Sequence, residues 1–311
     1  MVPIDQQDRS KGIVRRAKDW LIRHPVVFYL IAPFLLNRPS SFRKSVRQIA
    51  WLGLNARLSD LGLGSFTRSI TSRHRRVFQI TKDGFLVAYD FTRRDGGLHP
   101  MYVYDFVYES AESQAIRKHL RPDTLFIDVG ANIGLHSIRA SIDMPPGSSV
   151  LAIEADEATY RILEENVKQN SQAQHIQLRQ AVLWSSATTI EWHGQQLEHG
   201  HNHASAVLSD SRHAVKSETL DSIVSEVAAG KKVGVIKIDV EGAELEILRG
   251  ARNILSNQKP TLILEIDDRM LARNAASGSD LRAYLRNMGY QSETPIINAR
   301  SRVATNYLFL P

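Results

Sequence analysis

Two glycines and an acid stand close together in the segment FIDVGANIGLHSI, residues 126–138. Asp128 lies at the end of an apolar run, and Gly130 and Gly134 follow it where the backbone must turn sharply or approach a ligand closely. The next stretch predicts a helix, whose first N–H groups are unpaired. A strand, a glycine turn and a helix in this order are typical of the nucleotide-binding corner of an open α/β sheet.

The residues around the turn indicate which nucleotide fits. A dinucleotide site uses G-x-G-x-x-G, whereas this turn reads D-V-G-A-N-I-G and carries an acid that would repel a pyrophosphate. Glu154 ends the next apolar run, 26 residues after Asp128, at about the spacing of an acid that binds ribose hydroxyls. These features favour S-adenosylmethionine (SAM), which is zwitterionic, over the alternative of an ordinary glycine turn with surface acids.

A second group of acids follows the strand-like run VGVIKID. Asp239, Glu241 and Glu244 come at its end, and ligands bind at the carboxyl ends of parallel strands. Glu241 follows the strand end by two residues, so we predict that it is the general base for an acceptor hydroxyl. Asp239 is predicted to hold the donor or to orient the acceptor. Glu244 either belongs to this site or only favours the helix N-terminus.

A metal-assisted reaction is the alternative to a simple base. Carboxylates at neighbouring strand ends hold divalent cations in some enzymes, and Asp239, Glu265 and Asp267 could form such a set. We predict no metal, because Glu265 and Asp267 suit structural roles or substrate contacts equally well.

Histidines are concentrated in the polar segment 193–213. His199, His201 and His203 alternate, so on a strand they would share one face and could bind zinc or nickel. The interpretation that we favour is a loop of polar hydrogen-bonding residues that covers the substrate.

The rest of the chain supplies the elements that position these residues. Apolar runs and helical periods alternate regularly from residue 121 onward, which predicts a parallel sheet with helices on both faces. The predicted strands are 124–129, 149–154, 176–183, 233–239 and 260–266, and the predicted helices are 134–142, 157–170, 219–228, 242–256 and 279–288. An Asp-Gly hairpin near residues 77–89, a lead-in helix at 110–120 and a C-terminal strand pair complete the pattern.

These motifs together resemble the FkbM family of SAM-dependent methyltransferases. The resemblance rests on DVGANIG, the acid-ended strand at Glu154, KIDVEGAELEILRGA and PTLILEI, and it covers roughly residues 100–270. It implies an α/β class I methyltransferase fold, a Rossmann-like seven-stranded sheet with helices on both faces. It also implies O-methyl transfer from SAM, commonly to a sugar or natural-product hydroxyl. The acceptor stays open, because members of the family differ in substrate.

The resemblance implies a donor site built from several parts of the chain. The methionine end of SAM would contact the glycine turn, at Asp128, Gly130, Asn132 and Gly134. The ribose and the adenine would contact the ends of the next two strands, at Glu154, Ala155, Asp156, Ala181 and Val182. The methyl group would lie beside the residues that follow the fourth parallel strand, Asp239, Glu241 and Gly242. Glu109 would close the site.

Charge is distributed unevenly along the chain. Residues 1–76 hold 15 Lys and Arg against 4 Asp and Glu, whereas residues 77–311 hold 24 against 29, so the net charge of +6 comes from the N-terminal part. The mildly acidic remainder argues against a nucleic-acid groove. A basic amphipathic pattern at 11–24 beside an apolar run at 26–36 suits an anionic membrane surface. The alternatives are a helical cap on the main domain and a nucleic-acid arm.

We therefore predict a basic, mostly helical segment at 1–76, a β-hairpin and lead-in helix at 77–120, and a methyltransferase domain at 121–311. The chain has no cysteine, which excludes disulfides and thiolate catalysis and fits a cytoplasmic protein. The predicted activity is O-methylation of a sugar hydroxyl in a surface glycan or related natural product, with peripheral contact at the inner face of the membrane and no nucleic-acid partner. An RNA-modifying methyltransferase and a non-catalytic SAM- or glycan-binding module are the alternatives.

Overall fold

The computed structural model of the chain describes residues 77–80, 86–89, 110–142, 144–170, 175–193, 203–205, 214–228, 230–297 and 306–311. The segment 1–76, Glu109 and most of the histidine-rich segment lie outside these residues. Within the described ranges, no helix is long and apolar enough to cross a membrane. The division of the chain into three parts stays a prediction.

The described chain alternates strands and helices as predicted. The strands are β1 (Val77–Ile80), β2 (Leu86–Tyr89), β3 (Thr124–Val129), β4 (Ser149–Glu154), β5 (Ile176–Gln180), β6 (Val182–Leu183), β7 (Thr189–His193), β8 (His203–Ser205), β9 (Ala214–Glu218), β10 (Lys232–Ile238), β11 (Thr261–Glu265), β12 (Ser292–Ile296) and β13 (Asn306–Leu310). The helices are α1 (Ser110–His119), α2 (Leu135–Ile142), α3 (Glu157–Gln169), α4 (Leu220–Val227), α5 (Glu244–Arg249), α6 (Arg252–Asn257), α7 (Asp268–Leu271) and α8 (Gly278–Asn287).

The central sheet has seven strands in the order β12-β13-β11-β10-β3-β4-β5. From β11 to β5 all neighbours are parallel, and β13 is inserted antiparallel between β11 and β12. The predicted Rossmann-like seven-stranded sheet is therefore confirmed. A β6-β9-β7-β8 side sheet and the antiparallel β1–β2 hairpin lie outside it. Because the parallel strands run the same way, their carboxyl ends share one edge.

Helices cover both faces of the central sheet. On the face that we call the α1 face, Phe126, Val235 and Ile263 pack with residues of α1 and α2. On the opposite face, Ile127 and Ile236 pack with α4, α5, α6 and α8. Strands buried on both faces are apolar at successive positions, which is why these runs were recognisable from the sequence.

Two predicted elements are each divided in two. The predicted strand 176–183 leaves the central sheet after Gln180 and continues as β6 in the side sheet. The predicted helix 242–256 is interrupted between α5 and α6. Asp221 of α4 forms hydrogen bonds with the backbone at this break. Its N–H donates to the carbonyl of Gly250 (3.0 Å), and its carboxylate accepts the N–H groups of Asn253 (2.9 Å) and Ile254 (3.0 Å). The C-terminal strand pair is confirmed as β12 and β13.

Candidate active site

Two glycines hold the turn after β3 against its neighbours. Gly130 (φ +76°) lies so close to the end of β10 that a Cβ atom there would be 1.9 Å from the carbonyl oxygen of Asp239. Gly134 (φ +90°) would place a Cβ atom 2.5 Å from Cδ1 of Leu163 in α3. A positive φ and a close approach both favour glycine, which lets the turn pack directly against the end of β10 and against α3.

Glu154, at the end of β4, ties this turn to the next strand. Its Oε2 accepts the N–H of Asn132 (2.9 Å), and its Oε1 accepts the N–H of Asp156 (2.9 Å). Asn132 has φ +51°, a left-handed conformation that asparagine tolerates better than most residues. Burial raises the pKa of Glu154 to about 7, although the two N–H donors act in the opposite direction. This carboxyl group therefore changes its charge near neutral pH.

Asp128 lies beneath the turn and is buried, with 1% of its surface exposed. Its Oδ2 accepts the hydroxyl of Ser137 in α2 (2.6 Å), and its Oδ1 has no hydrogen-bond partner within the described ranges. In the sheet it lies beside Lys237 of β10. Asp128 thus links the start of α2 to the strand that carries the second group of acids.

The other residues assigned to the donor lie at the same edge of the sheet. Ala155 follows β4, Ala181 follows β5, and both are half-buried, as is Val182 at the start of β6. Asp156 has a local role, because its Oδ1 accepts the N–H of Thr159 (2.8 Å) and so caps α3. Donor contacts by these residues stay a prediction, and Glu109 lies outside the described residues.

Three carboxylates meet beyond the ends of β10 and β11. Asp239, Glu241 and Glu265 each offer an oxygen atom, and these atoms lie within 4.8 Å of one another. We call these residues the carboxylate cluster. Asp267 lies outside it, since its carboxylate accepts N–H groups of Arg269 and caps α7. The structure therefore brings together the two predicted catalytic residues, and Glu241 takes the place that Asp267 was considered for.

The turn after β10 gives Glu241 an unusual backbone conformation. Its φ is +59°, which costs a residue other than glycine or asparagine on the order of 1 kcal/mol. Gly242 follows with φ +113°, and a Cβ atom there would be 2.3 Å from the carbonyl oxygen of Met270. The close packing of Gly242 fixes the turn and, with it, the position of Glu241 in the cluster.

Glu244 closes this turn and is not part of the cluster. Its Oε1 accepts the N–H groups of Val240 (3.1 Å) and Gly242 (3.1 Å), and its side chain is buried. Burial raises the pKa of Glu244 to about 7. These contacts favour a structural role for Glu244 at the start of the helix over a role in the reaction.

Lys237 sets the charge state of the cluster. It is 3% exposed in β10, and its ammonium group donates to Oδ2 of Asp239 (2.9 Å). Burial raises the pKa of Asp239, but the charge and hydrogen bond of Lys237, together with a hydrogen bond from Glu265, outweigh it, so that this pKa lies below its ordinary value. Burial and the negative charges of Asp239 and Glu241 raise the pKa of Glu265 to about 10. An ionised Asp239 therefore lies beside a protonated Glu265.

Sequence reasoning missed two residues at this edge of the sheet. Lys237 had a signal, because a lysine inside the apolar run VGVIKID, two residues before an acid, must be buried on the same face as that acid. Asn306, the first residue of β13, had none, since only the insertion of β13 beside β11 places it opposite Glu265.

Among the histidines, His136 lies near enough to Asp239 to help lower the pKa of that carboxyl group. His136 in α2 is buried, with its Nδ1 3.0 Å from Oγ of Ser113 in α1. His193 and His203 are opposed in the β7–β8 pair, whereas His199, His201 and His213 lie outside the described residues. The covering-loop interpretation of this segment stays a prediction.

Known proteins are similar to part of this chain. Methyltransferase 1 of Beauveria bassiana is 26% identical over 147 residues, which are 41% of this chain and 58% of that protein. The hexuronic acid methyltransferase AglP of Haloferax volcanii is 32% identical over 135 residues, which are 43% of this chain and 53% of that protein. The chain thus spans a little more than half the length of these relatives.

A crystal structure of methyltransferase FkbM from Methylobacillus flagellatus is similar over 80% of this chain and 71% of its own, with 17% identity and a TM-score of 0.43. The family model described as the methyltransferase FkbM domain matches residues 128–292, more than half of the chain. The matched segment contains the glycine turn, Glu154 and the whole carboxylate cluster. The chain therefore belongs to the FkbM methyltransferase domain family, as its motifs predicted.

Proposed function

We propose that the chain is a SAM-dependent O-methyltransferase that acts on a sugar hydroxyl. The proposal depends above all on the contact between the glycine turn and the carboxylate cluster, where Gly130 packs against the carbonyl of Asp239. A donor bound along the turn would have its methyl group beside the carboxylates. Membership of a methyltransferase family supports the reaction type.

The edge of the sheet suits the separate parts of SAM. Each carboxylate oxygen of Glu154 already accepts one N–H and has a further lone pair for a ribose hydroxyl. The half-buried Ala155, Ala181 and Val182 offer the adenine an apolar border. The negative charges near the turn favour the positively charged sulfonium and ammonium groups of the donor.

The transfer is an in-line displacement at the methyl carbon. The acceptor oxygen bonds to this carbon while the carbon–sulfur bond breaks, and the electron pair returns to sulfur to give neutral S-adenosylhomocysteine. The hydroxyl proton passes to the carboxylate of Glu241. Asp239, held ionised by Lys237 (2.9 Å), accepts a hydrogen bond that orients the acceptor. Alignment of the two substrates and exclusion of water lower the remaining barrier.

A sugar is the class of acceptor that this cluster suits best. Sugar hydroxyls donate to carboxylates, and neighbouring hydroxyls on one ring can bind several carboxylate oxygens together. The hexuronic acid methyltransferase of Haloferax volcanii, 32% identical over 43% of this chain, supports an acceptor of this class.

Titration of the full chain with SAM in a calorimeter tests the donor site. We expect micromolar binding by the wild type and a loss of at least about tenfold in Glu154→Gln, because the amide cannot accept with both ends from Asn132 and Asp156. Glu157→Gln is the matched control, since Glu157 is an exposed acid at the start of α3. A folded wild type that binds neither SAM nor S-adenosylhomocysteine would contradict the proposal.

The same titration should depend on pH through Glu154. Ribose hydroxyls donate to the ionised carboxylate, and the pKa of Glu154 is about 7, so the binding-competent fraction falls as the pH drops. From about pH 8 to about pH 6 the dissociation constant should rise about tenfold, because the ionised fraction falls by that factor. The Glu154→Gln series subtracts the titration of the ligand itself and of all other groups of the protein. Equal slopes for the two proteins would rule out this role of Glu154.

We further propose that the acceptor is linked to a lipid and that segment 1–76 brings the enzyme to the cytoplasmic face of a membrane. The 15 Lys and Arg of this segment against 4 Asp and Glu support attraction to anionic lipids, worth about 1 kcal/mol for each basic residue near the surface.

Sedimentation with phosphatidylserine-containing liposomes tests the membrane contact. Reversal of three charges, in Arg15→Glu/Arg16→Glu/Lys18→Glu, should lower the bound fraction strongly, with little effect of the matched reversal Lys168→Glu/Lys231→Glu/Lys232→Glu in the described domain. Both effects should shrink at high salt. Equal sedimentation of the wild type and the N-terminal variant would exclude this contact.

A further inference from the structure

A fourth oxygen atom lies beside the carboxylate cluster, and the transfer chemistry does not use it. Asn306 is directly opposite Glu265 in the antiparallel β11–β13 pair. The pair two positions earlier along β11, Ile263 and Leu308, packs on the α1 face. Since side chains alternate along a strand, Glu265 and Asn306 lie on this face as well. Opposed residues of such a pair have Cβ atoms about 4.5–5.5 Å apart. The side chain of Asn306 therefore begins beside that of Glu265, on the same face of the sheet.

The amide oxygen of Asn306 is buried without a partner. The residue is 6% exposed, and its Oδ1 accepts no hydrogen bond from any residue that the structure describes. A buried acceptor left in this state costs about 1–3 kcal/mol, so each such atom in a native protein needs an explanation. A ligand that accepts electron pairs would provide one, and the ligand must also suit the acids beside this oxygen.

The cluster and Asn306 form a row across three neighbouring strands. Asp239 extends β10, Glu265 ends β11 and Asn306 begins β13, while Glu241 approaches from the turn. Binding of a cation would displace the proton of Glu265, and the three ionised carboxylates would then carry three negative charges, of which Lys237 beside Asp239 offsets one. A divalent cation would neutralise the remainder and would also satisfy the amide oxygen.

The spacing of the oxygens fits such an ion. Ligands on opposite sides of Mg²⁺ are about 4.2 Å apart, and around Ca²⁺ about 4.8 Å, which is twice the metal–oxygen distance. The oxygens of the cluster lie within 4.8 Å of one another, which is compatible with the ligands of one ion. A donor set of three carboxylates and one amide oxygen, without sulfur or nitrogen, suits Mg²⁺, Mn²⁺ or Ca²⁺ and not the softer metals.

We propose that Asp239, Glu241, Glu265 and Asn306 bind one divalent cation of the oxygen-preferring class, with Mg²⁺ and Mn²⁺ as the ions expected in a cell. This proposal replaces the sequence-based prediction of no metal. The proposed binding of the ion is argued from the four side chains alone, whereas its role in the reaction rests on the proposed function.

In that role the cation binds the oxygen of the acceptor hydroxyl. It lowers the pKa of the hydroxyl, so the proton leaves more readily for the carboxylate oxygen of Glu241 that does not touch the ion. The resulting alkoxide attacks the methyl carbon, and the carbon–sulfur bonding pair goes to sulfur as before. The ion keeps its charge throughout and is neither oxidised nor reduced.

Titration of the EDTA-treated full chain with Mn²⁺, followed by the electron paramagnetic resonance signal of free Mn²⁺, tests the site. We expect one saturable Mn²⁺ per chain that Mg²⁺ displaces. Binding should weaken at least about tenfold in Glu265→Gln and in Asn306→Leu but persist in Asn306→Asp, which keeps an oxygen ligand. Asp267→Asn is the matched control and should bind as the wild type does, because Asp267 caps α7 outside the cluster.

Absence of saturable binding, or equal binding by the wild type, Glu265→Gln and Asn306→Leu, would overturn the inference. Glu265→Gln keeps the shape of the side chain, so the site stays testable if Asn306→Leu does not fold. A SAM titration of the same preparations separates the two proposals. SAM binding and methyl transfer without Mn²⁺ binding would contradict only the cation site, and Mn²⁺ binding without SAM binding would contradict only the proposed function.

Discussion

Replacement of Glu241 by asparagine should lower the rate of methyl transfer about 10³-fold and leave the affinity for SAM unchanged. The loss is large because the acceptor hydroxyl is a poor nucleophile until a base removes its proton, and an amide cannot take that proton. SAM affinity should hold, since the glycine turn and Glu154 are untouched. Asparagine is the right substitution because Glu241 has φ +59°, a conformation in which asparagine is less strained than alanine or glutamine.

The release of S-adenosylhomocysteine in a single turnover measures this effect. Glucuronic acid oligosaccharides are the first acceptors to try, and the first one that turns over serves for all variants. Glu246→Gln is the matched control, because Glu246 lies in the helix that follows and pairs with Arg249 near the surface. Its rate should be that of the wild type. A Glu241→Asn protein that retained a rate within about tenfold of the wild type would show that another group is the base.

The donor half of the site could be predicted because its signals are local in the chain. All six residues of β3 are buried, so TLFIDV stands out as an apolar run, and the glycines that end it have positive φ angles that a tight turn requires. Glu154 ends the next such run. Each feature is visible in a short stretch of sequence, and the strand bounds predicted for β3 and β4 agree with those observed.

The acceptor half depends on contacts between distant parts of the chain. Asn306 reaches Glu265 only because β13 enters the sheet antiparallel between β11 and β12. Asp221 divides the predicted helix 242–256 from more than twenty residues away in sequence. Glu241, and not Asp267, belongs to the carboxylate cluster because the turn after β10 adopts a left-handed conformation, which no pattern of residue types predicted. Local periodicity carries no information on any of these three contacts.

One rule of strand geometry nevertheless links the core to the reactive edge. Side chains alternate along a strand, so the residue two positions after a core residue points to the same face. On the α1 face, Phe126 is followed in this way by Asp128, and Ile263 by Glu265, while Val235 is followed by Lys237 and then Asp239. The α1 face is apolar in the middle of the sheet and ionisable at its carboxyl edge. The rigidity of the core therefore positions the charged groups.

Because Lys237 lies between the apolar core and the charged edge of the α1 face, we predict a large loss of stability for Lys237→Met. Methionine is unbranched and fits the buried space of the lysine stem. It leaves the carboxylate of Asp239, which lies next to Glu241 and Glu265, without the ion-pair partner that was 2.9 Å away. Removal of one member of a fully buried ion pair costs about 3–5 kcal/mol, because the other charge stays desolvated. The side chain of Asp239 is 22% exposed, so we expect a loss at the lower end of this range. Urea unfolding followed by circular dichroism should show this loss. Lys232→Met, at the exposed start of the same strand, is the matched control and should change stability by less than about 0.5 kcal/mol.

A double-mutant cycle separates the charge effect from the packing of the lysine stem. If Lys237 stabilises the fold by compensating Asp239, then Asp239→Asn should relieve much of the loss caused by Lys237→Met, with an interaction energy of about 1–3 kcal/mol. Additive losses would mean that the stem of Lys237 packs in the core and that its charge is irrelevant. Millimolar Mg²⁺ adds a second discrimination, because a cation bound in the cluster would restabilise Lys237→Met more than the wild type, in which Lys237 already supplies one positive charge. A cation that restabilised both proteins equally would show that Lys237 and the ion act on separate charges.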